Sequence, residues 1–329
     1  MELYFNAASA ISPIGNYESD SIKLFHPDPS KGFFECTEPD YKKIIDKKYL
    51  RRMSKFIKFS VANAMKCLAD AGIEQPDALI TGTALGCVAD TVDFLQQINA
   101  NAETLLNPTA FMQSTHNTAS GQIALLLGCK NFNVTFSQKN TSFESALLQA
   151  EMMFSDGIYQ NILVGGMDEI TPESYQLISK TYCFNRNAEN PFLPGEGAAF
   201  FVLSNQKSEK SLGRFDGLSF YHGEFSDSVI PEFLKMNELS INNIGVFLTG
   251  AHPADPLSGN FAKIFDAGQI IRIKEFCGEY DTSSAFALWL ALQLLNRKIE
   301  GNAGYPSGKI LIHNQGSGSA HSLILVSGC

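Results

Sequence analysis

The sequence predicts an α/β protein with a largely parallel, covered sheet, assembled from two copies of one unit. Three observations carry this reading. Strand-like and helix-like runs alternate along the chain without a low-complexity segment or a long linker. Strands run into glycines, as in Ile162-Leu163-Val164-Gly165-Gly166 and in Ile310-Leu311-Ile312 before Gly316-Ser317-Gly318. The pattern of the first half returns in the second, with Leu79-Ile80-Thr81-Gly82 echoed by Phe247-Leu248-Thr249-Gly250.

Taken in order, Leu3–Ala7 reads as a strand that ends in the turn Ser12-Pro13-Ile14-Gly15. Met53 to Ala71 places Phe56, Val61, Ala64, Met65 and Leu68 at helical spacing and stops at Gly72, a C-cap. Ala78–Ile80 is a short strand entering Thr81-Gly82-Thr83. Asn133–Ser137 is another, and Thr141-Ser142-Phe143-Glu144 then opens an amphipathic helix, with Thr141 and Glu144 at capping-box spacing. In the second half Ile270–Lys274 is a strand, and Thr282-Ser283-Ser284 opens a helix through Trp289 to Leu295.

With 329 residues, 44% of them hydrophobic, the chain has ample material for a core. Charged residues make up 18%, below the roughly 25% of an average soluble domain, so a partner is expected to cover part of the surface. The net charge of −9 argues against nucleic-acid binding. Yet from Lys42 to Lys58 eight cations face the single acid Asp46, a net +7 that leaves −16 for the rest. One basic face on an acidic protein suggests one acidic partner met at one place. Seven scattered cysteines without a CxxC pair, and no signal peptide, point to reduced thiols in the cytoplasm. The longest apolar run, Ala285 to Leu292, falls short of the ~18–20 residues of a membrane span. His26, His116, His222 and His313 show no metal-ligand spacing and read as surface or packing residues.

Four motifs fall in the order seen in β-ketoacyl-acyl carrier protein synthases: Arg51-Arg52-Met53-Ser54-Lys55-Phe56, Thr81-Gly82-Thr83-Ala84-Leu85-Gly86, Asn117-Thr118-Ala119-Ser120-Gly121-Gln122 and Pro194-Gly195-Glu196-Gly197-Ala198-Ala199. Val164-Gly165-Gly166-Met167-Asp168-Glu169 and Gly250-Ala251-His252 continue the series, so the resemblance covers nearly the whole chain. It implies the duplicated thiolase fold, five-layered α/β/α/β/α, and a dimer. The halves are then 1–210 and 211–329, the second one shortened. No cofactor and no metal are implied.

The chemistry of that family needs a nucleophilic cysteine at a strand-to-helix turn, two histidines that stabilise an enolate oxygen, and a lysine. Counted back from Gly157 and Gly165-Gly166, the cysteine position falls on Asn140. Asn140 reads as a turn residue or helix cap, with a catalytic asparagine or a nucleophilic Ser137 or Ser142 as alternatives. His252 matches the first histidine, although Pro253-Ala254-Asp255-Pro256 follows it, and it lines the pocket or is a plain loop residue. Lys274 matches the lysine, and the second histidine position is Glu279, where a carboxylate opposes an enolate oxygen. Gly316 and Gly318 fit the family's gating loop or a simple flexible turn.

Among synthase-like proteins, chain-length factors pair with an active synthase and shape its acyl tunnel. Their glutamine hallmark is absent here, since Gln138 lies two residues from the matched position. The chain is more similar to the short synthase-like proteins of aryl polyene and flexirubin-type pigment clusters. The expected function is therefore a subunit without a nucleophile that pairs with an active ketosynthase in carrier-bound chain elongation. The alternatives are a divergent, active acyltransferase or hydrolase and a homodimeric acyl-binding scaffold. Expected partners are an acyl carrier protein and an active ketosynthase subunit or a second copy, with no nucleic acid. Lys48, Arg51 and Arg52 match carrier-docking positions, against the plain alternative of a solvated helix face. Thr91 and Leu95 match acyl-tunnel positions, against packed helix, and Pro108–Leu127 resembles the dimer-contact region.

Overall fold

The computed structural model describes every residue except 20, 102–103, 105, 179, 181–192, 301–307 and 317–318. Ten strands form one hydrogen-bonded sheet. In the first half β1 (Leu3–Ile11), β2 (Ala78–Gly82), β3 (Phe132–Phe136), β4 (Asn161–Asp168) and β5 (Gly197–Ser204) lie in the order β3-β2-β4-β5-β1. In the second, β6 (Gly213–His222), β7 (Ile244–Thr249), β8 (Ile270–Arg272), β9 (Lys309–Gln315) and β10 (Ala320–Ser327) lie as β8-β7-β9-β10-β6 when read from the other edge. Each half thus repeats one order: third, second, fourth, fifth, first. The echo read in the sequence is this duplication.

The sheet is less parallel than expected. β2 runs parallel to β3 and β4, and β7 to β8 and β9, but the other pairs, including β4 with β5 and β9 with β10, are antiparallel. Only a crossover connection makes a parallel neighbour, and Gln315 and Ala320 are too close in sequence for one. The halves join where Leu3, Tyr4 and Phe5 pair antiparallel with Phe215, Arg214 and Gly213.

The helices are α1 (Lys47–Leu50), α2 (Lys55–Ala71), α3 (Val88–Ala100), α4 (Pro108–Gln113), α5 (Thr118–Leu127), α6 (Ser142–Phe154), α7 (Pro172–Ile178), α8 (Val229–Met236), α9 (Pro256–Ile264), α10 (Lys274–Cys277) and α11 (Ser283–Leu295). Alternation along the strands sorts the side chains into three cores. Leu79, Leu163 and Phe200 pack outward on α2 and α5. Ile80, Val164 and Phe201 pack inward on α6 and α11, which also cover Val246, Leu248 and Ile312 of the second half. Phe247 and Leu311 pack on α8 and α9. The result is five layers, α/β/α/β/α. In the middle layer α11 is apolar all round and buried from Ser283 to Leu294, as a helix enclosed on every side must be.

Glycines set the closest approaches between layers. A Cβ on Gly82 would stand 2.4 Å from the Ser142 backbone, and one on Gly166 would stand 2.7 Å from the Ala285 Cβ. The strand glycines therefore let the first turns of α6 and α11 rest on the sheet. α2 ends as expected, at Gly72 with φ 72°. The capping box at Thr141 and Glu144 does not form. Thr141 makes no side-chain cap, and Glu144 turns into the core instead. No helix among the described residues is long and apolar enough to cross a membrane. The six described cysteines are free thiols, and Cys183 lies outside the described residues.

Candidate functional site

The strand-to-helix turn after β3 holds Asn140 at the opening of α6, just where the strand glycine Gly82 admits the chain. Asn140 is buried, and its Nδ2 donates to the Ala320 carbonyl at 3.0 Å. Its own carbonyl accepts from Asn314 Nδ2 at 2.8 Å. Asn314 Nδ2 also donates to Glu144 Oε1 at 2.8 Å, and Ser322 Oγ donates to the same oxygen at 2.7 Å. Burial pushes the Glu144 carboxyl above its ordinary range. The preceding Lys139 takes a positive φ of 53°, a conformation rarely used by a side chain with a Cβ. This turn is thus tied to β9 and β10 of the other half.

The hydroxyls on either side of Asn140 are already engaged. Ser142 is fully buried, accepting from the Gln138 amide at 2.8 Å and donating to the Lys139 carbonyl at 2.6 Å. Ser137 Oγ donates to the Ala84 carbonyl at 3.1 Å.

The second cluster grows from β7, α10 and the loop before α11. Lys274, expected at the end of a strand, instead opens α10, because β8 stops at Arg272. It is 2% exposed, and its Nζ donates to Glu279 Oε2 at 2.6 Å and to the Gln315 carbonyl at 2.5 Å. Burial raises the Glu279 carboxyl, while Lys274 and, more weakly, His252 pull it back. Glu279 is fixed from behind as well. Its amide donates to the Leu193 carbonyl and its carbonyl accepts from the Gly195 amide. His252 is half-buried, and its Nδ1 accepts from the Ala254 amide at 3.0 Å.

Gly316 links the two clusters. A Cβ there would stand 2.2 Å from the Asn140 Cβ, so only glycine fits against this turn. Gly318 lies outside the described residues. Asn140, Gly316, Lys274, Glu279 and His252 are therefore gathered into one region. Its chemistry is that of a buried ion pair and amide groups rather than of a thiol facing two imidazoles.

Several partners in this region were not read from the sequence. Asp281, half-buried, has its carboxyl pushed up to about 7 by burial and by the charges of Asp168 and Glu279, with Lys274 and Lys139 opposing. Asp168 accepts from Thr83 Oγ1, the Ala84 amide and both the amide and hydroxyl of Thr282, so it fastens the loop after β2 to the start of α11. The motif Gly166-Met167-Asp168-Glu169 was legible, but its acid's partners, more than eighty residues away in each direction, were not. A pH dependence follows. A carboxyl raised in the folded state binds its proton more tightly than in the unfolded chain, so stability rises as pH falls through about 7 toward 4. Glu169, also pushed up to about 7, contributes to the same slope. Urea titrations across this range are expected to show a shallower slope for Asp281→Asn, and an unchanged slope would refute the assignment.

The remaining positions lie apart. Thr91 lines an apolar cleft of about 250 Å³ between α3 and α7, and its hydroxyl donates to the carbonyls of Cys87 and Ser114. Leu95 is not part of that lining and is 53% exposed. Lys48, Arg51 and Arg52 are exposed in and after α1. Within the basic stretch Lys43 pairs with Glu18, Lys48 with Asp46, and Lys55 with the buried Glu196. Among the described residues no group of three or more His, Cys, Asp and Glu is placed to hold a metal ion.

Residues 36–192, which include Asn140, match the β-ketoacyl synthase N-terminal domain family. That stretch is a little under half of the chain, and in it the chain resembles the thiolase-type ketosynthases. This ketosynthase-like chain is 22% identical over 200 residues to the 3-oxoacyl-[acyl-carrier-protein] synthase 2 of Vibrio harveyi. That match takes in 55% of this chain and 47% of the relative, so it spans about half the length of the curated protein. Among solved structures it superposes on a type II polyketide synthase acyl carrier protein in complex with its ketosynthase bound to the hexaketide. The TM-score is 0.79 at 17% identity, covering 100% of this chain and 99% of that one. A β-ketoacyl synthase from Burkholderia phymatum STM815 gives 0.78 at 15%, with 100% and 99% covered. The ishigamide ketosynthase/chain length factor gives 0.76 at 15%, again with 100% and 99% covered. At these identities the likeness is one of fold.

Proposed function

We propose that this chain is a ketosynthase-like subunit without a nucleophile, which pairs with an active β-ketoacyl synthase during elongation of a carrier-bound fatty acyl or polyene chain in the cytoplasm. The observation that carries the proposal is Asn140 at the opening of α6, with its side-chain amide already bonded to the Ala320 carbonyl. An amide there supplies no thiolate, and the Lys274–Glu279 pair offers a neutralised carboxylate where an enolate oxygen needs donors.

Two surfaces support the pairing. β3 is the edge strand of its half, with Phe132 45% exposed. Leu125 on α5, which packs on β3, is also exposed, as are Phe111 and Met112 on α4. Apolar groups beside an open strand edge suit a protein partner. The partner is an active synthase, by analogy with the ishigamide ketosynthase/chain length factor. Thr91, on the wall of the apolar cleft, is the position assigned to chain length.

The carrier docks on the exposed Lys48, Arg51 and Arg52, since such carriers are acidic and complementary charge speeds encounter. Co-expression with a synthase that retains its cysteine and both histidines is expected to give a one-to-one complex, with product formed only by the complex. Reversing Lys48, Arg51 and Arg52 to glutamate is expected to slow carrier association and flatten its salt dependence, leaving the complex intact. Unchanged carrier association would move docking to the partner alone. A chain that forms only homodimers would favour the scaffold instead.

A further inference from the structure

The eight cations between Lys42 and Lys58 fall into two sets. Lys43, Lys48 and Lys55 are paired with Glu18, Asp46 and Glu196. Among the described residues, Lys42, Lys47, Arg51, Arg52 and Lys58 have no carboxylate at ion-pair distance. Four of these five, Lys42, Lys47, Arg51 and Lys58, line one cleft of about 400 Å³, and none of the three paired lysines does. Gathering unpaired like charges around one concavity costs stability unless an anion neutralises them.

Local structure assembles the cleft. Asp40 caps the single helical turn Tyr41–Lys43 by accepting from the Lys42 amide at 3.2 Å. Asp46 caps α1 by accepting from the Lys48 amide at 3.0 Å. Along α1, Lys47 and Arg51 stand four residues apart, one helical turn, and so reach the cleft together, whereas Lys48 and Arg52 are not among its lining. Lys58 joins them from the first turn of α2. Pro39, Tyr41 and Leu50 supply an apolar wall, and Tyr41 is anchored in the outward core at 8% exposure. Glu38 and Asp40 also line the cleft, so four cations against two acids leave it a net +2.

We propose that this cleft binds a small aromatic phosphate monoester, whose dianionic head meets Lys42, Lys47, Arg51 and Lys58 while its ring lies against Tyr41 and Leu50. A phosphate monoester, with its second pKa at about 6, carries close to two negative charges at neutral pH and so balances the net +2. A sulfate ester of the same shape carries one charge and leaves the cleft positive. The volume and the half-apolar wall suit a small molecule. The site does not rest on the function proposed above. Arg51 is the single residue it shares with the carrier-docking set, and Lys42, Lys47 and Lys58 lie outside that set.

The test titrates the full chain calorimetrically with phenyl phosphate, phenyl sulfate and inorganic phosphate. At pH 7.5 phenyl phosphate is expected to bind about fivefold more tightly than phenyl sulfate, the effect of one further charge in a partly exposed site. It is expected to exceed inorganic phosphate about tenfold, because the ring adds apolar burial. At pH 5 the ester loses a proton-titrated charge, so its advantage over phenyl sulfate is expected to vanish. The double variant Lys42→Gln/Lys58→Gln is expected to weaken phenyl phosphate about tenfold while carrier association stays unchanged. Arg52→Gln removes an equal, unpaired charge just outside the cleft and is expected to change the affinity by less than about twofold. Phenyl sulfate or inorganic phosphate binding as tightly as phenyl phosphate would overturn the proposal. So would full affinity in the folded double variant, an equal loss in Arg52→Gln, or no binding of phenyl phosphate at millimolar concentration. If the double variant does not fold, the three-ligand comparison at the two pH values decides.

Discussion

Incubated with an acyl carrier protein thioester, the purified chain is expected to keep its own intact mass. Acyl transfer needs a thiolate or an activated hydroxyl, and the turn from Ser137 to Ser142 offers neither. Asn140 is an amide bonded to Ala320, and Ser142 is sealed in hydrogen bonds with Gln138 and Lys139. Loss of a nucleophile costs on the order of 10⁶ in rate, which puts any residual condensation below detection. Placing cysteine at the turn by Asn140→Cys is not expected to restore product. The thiol would sit at a helix N-terminus, which favours a thiolate. On the proposed reading, the step that follows still needs donors at the enolate oxygen, and at the matched position Glu279 presents an oxygen held by Lys274. A stoichiometric acyl adduct on any residue of this turn in the unaltered chain would sink the reading.

Replacing Lys55 by methionine is expected to be strongly destabilising. Glu196 is completely buried, and its carboxylate takes the Lys55 ammonium together with the amides of Cys36 at 2.8 Å and Ile170 at 3.3 Å. Taking away one member of such a pair leaves an unneutralised charge in the interior, at a cost of about 3 kcal/mol. Burial already holds the Glu196 carboxyl above its ordinary range, with Lys55 pulling it back, so loss of Lys55 raises it further. A raised carboxyl destabilises the fold above its own pKa, and that cost is relieved as acid protonates it. Urea unfolding of Lys55→Met is therefore expected to show a large loss at pH 8 and a smaller one at pH 5. An equal loss at both values would refute the unneutralised Glu196 carboxylate as its cause.

What could be read from the sequence was what is decided locally. Gly72 stops α2 because a left-handed residue ends a helix wherever it falls, and the strands into Gly82 and Gly166 are short runs bounded by small residues. The duplication was legible because both halves solve one packing problem with one order of elements. The site was legible only by position. Asn140, Lys274, Glu279 and His252 could be counted to, but Asn314, Gln315 and Asp281, which hold or charge them, carry no local signature. The capping-box spacing at Thr141 and Glu144 failed for the same reason. Glu144 is drawn inward by Asn314 and Ser322, some 170 and 178 residues away along the chain. A pattern that local rules read as a helix start is overruled by strands not yet reached.

The shared middle layer has a consequence for how the chain is made. α6 of the first half is covered by α11 and by strands of the second, so the first half alone cannot finish burying its own apolar surface. A ribosome adds about 5–20 residues per second, and the rest of the chain follows the first half after a delay on the order of ten seconds. Throughout that delay the nascent first half carries an open, oily face and the unpaired edge of β1, where Leu3–Phe5 still wait for Gly213–Phe215. The biosynthesis of this molecule is therefore a race between completion and aggregation. Chaperone binding to nascent chains is expected to end only when α11 has left the exit tunnel.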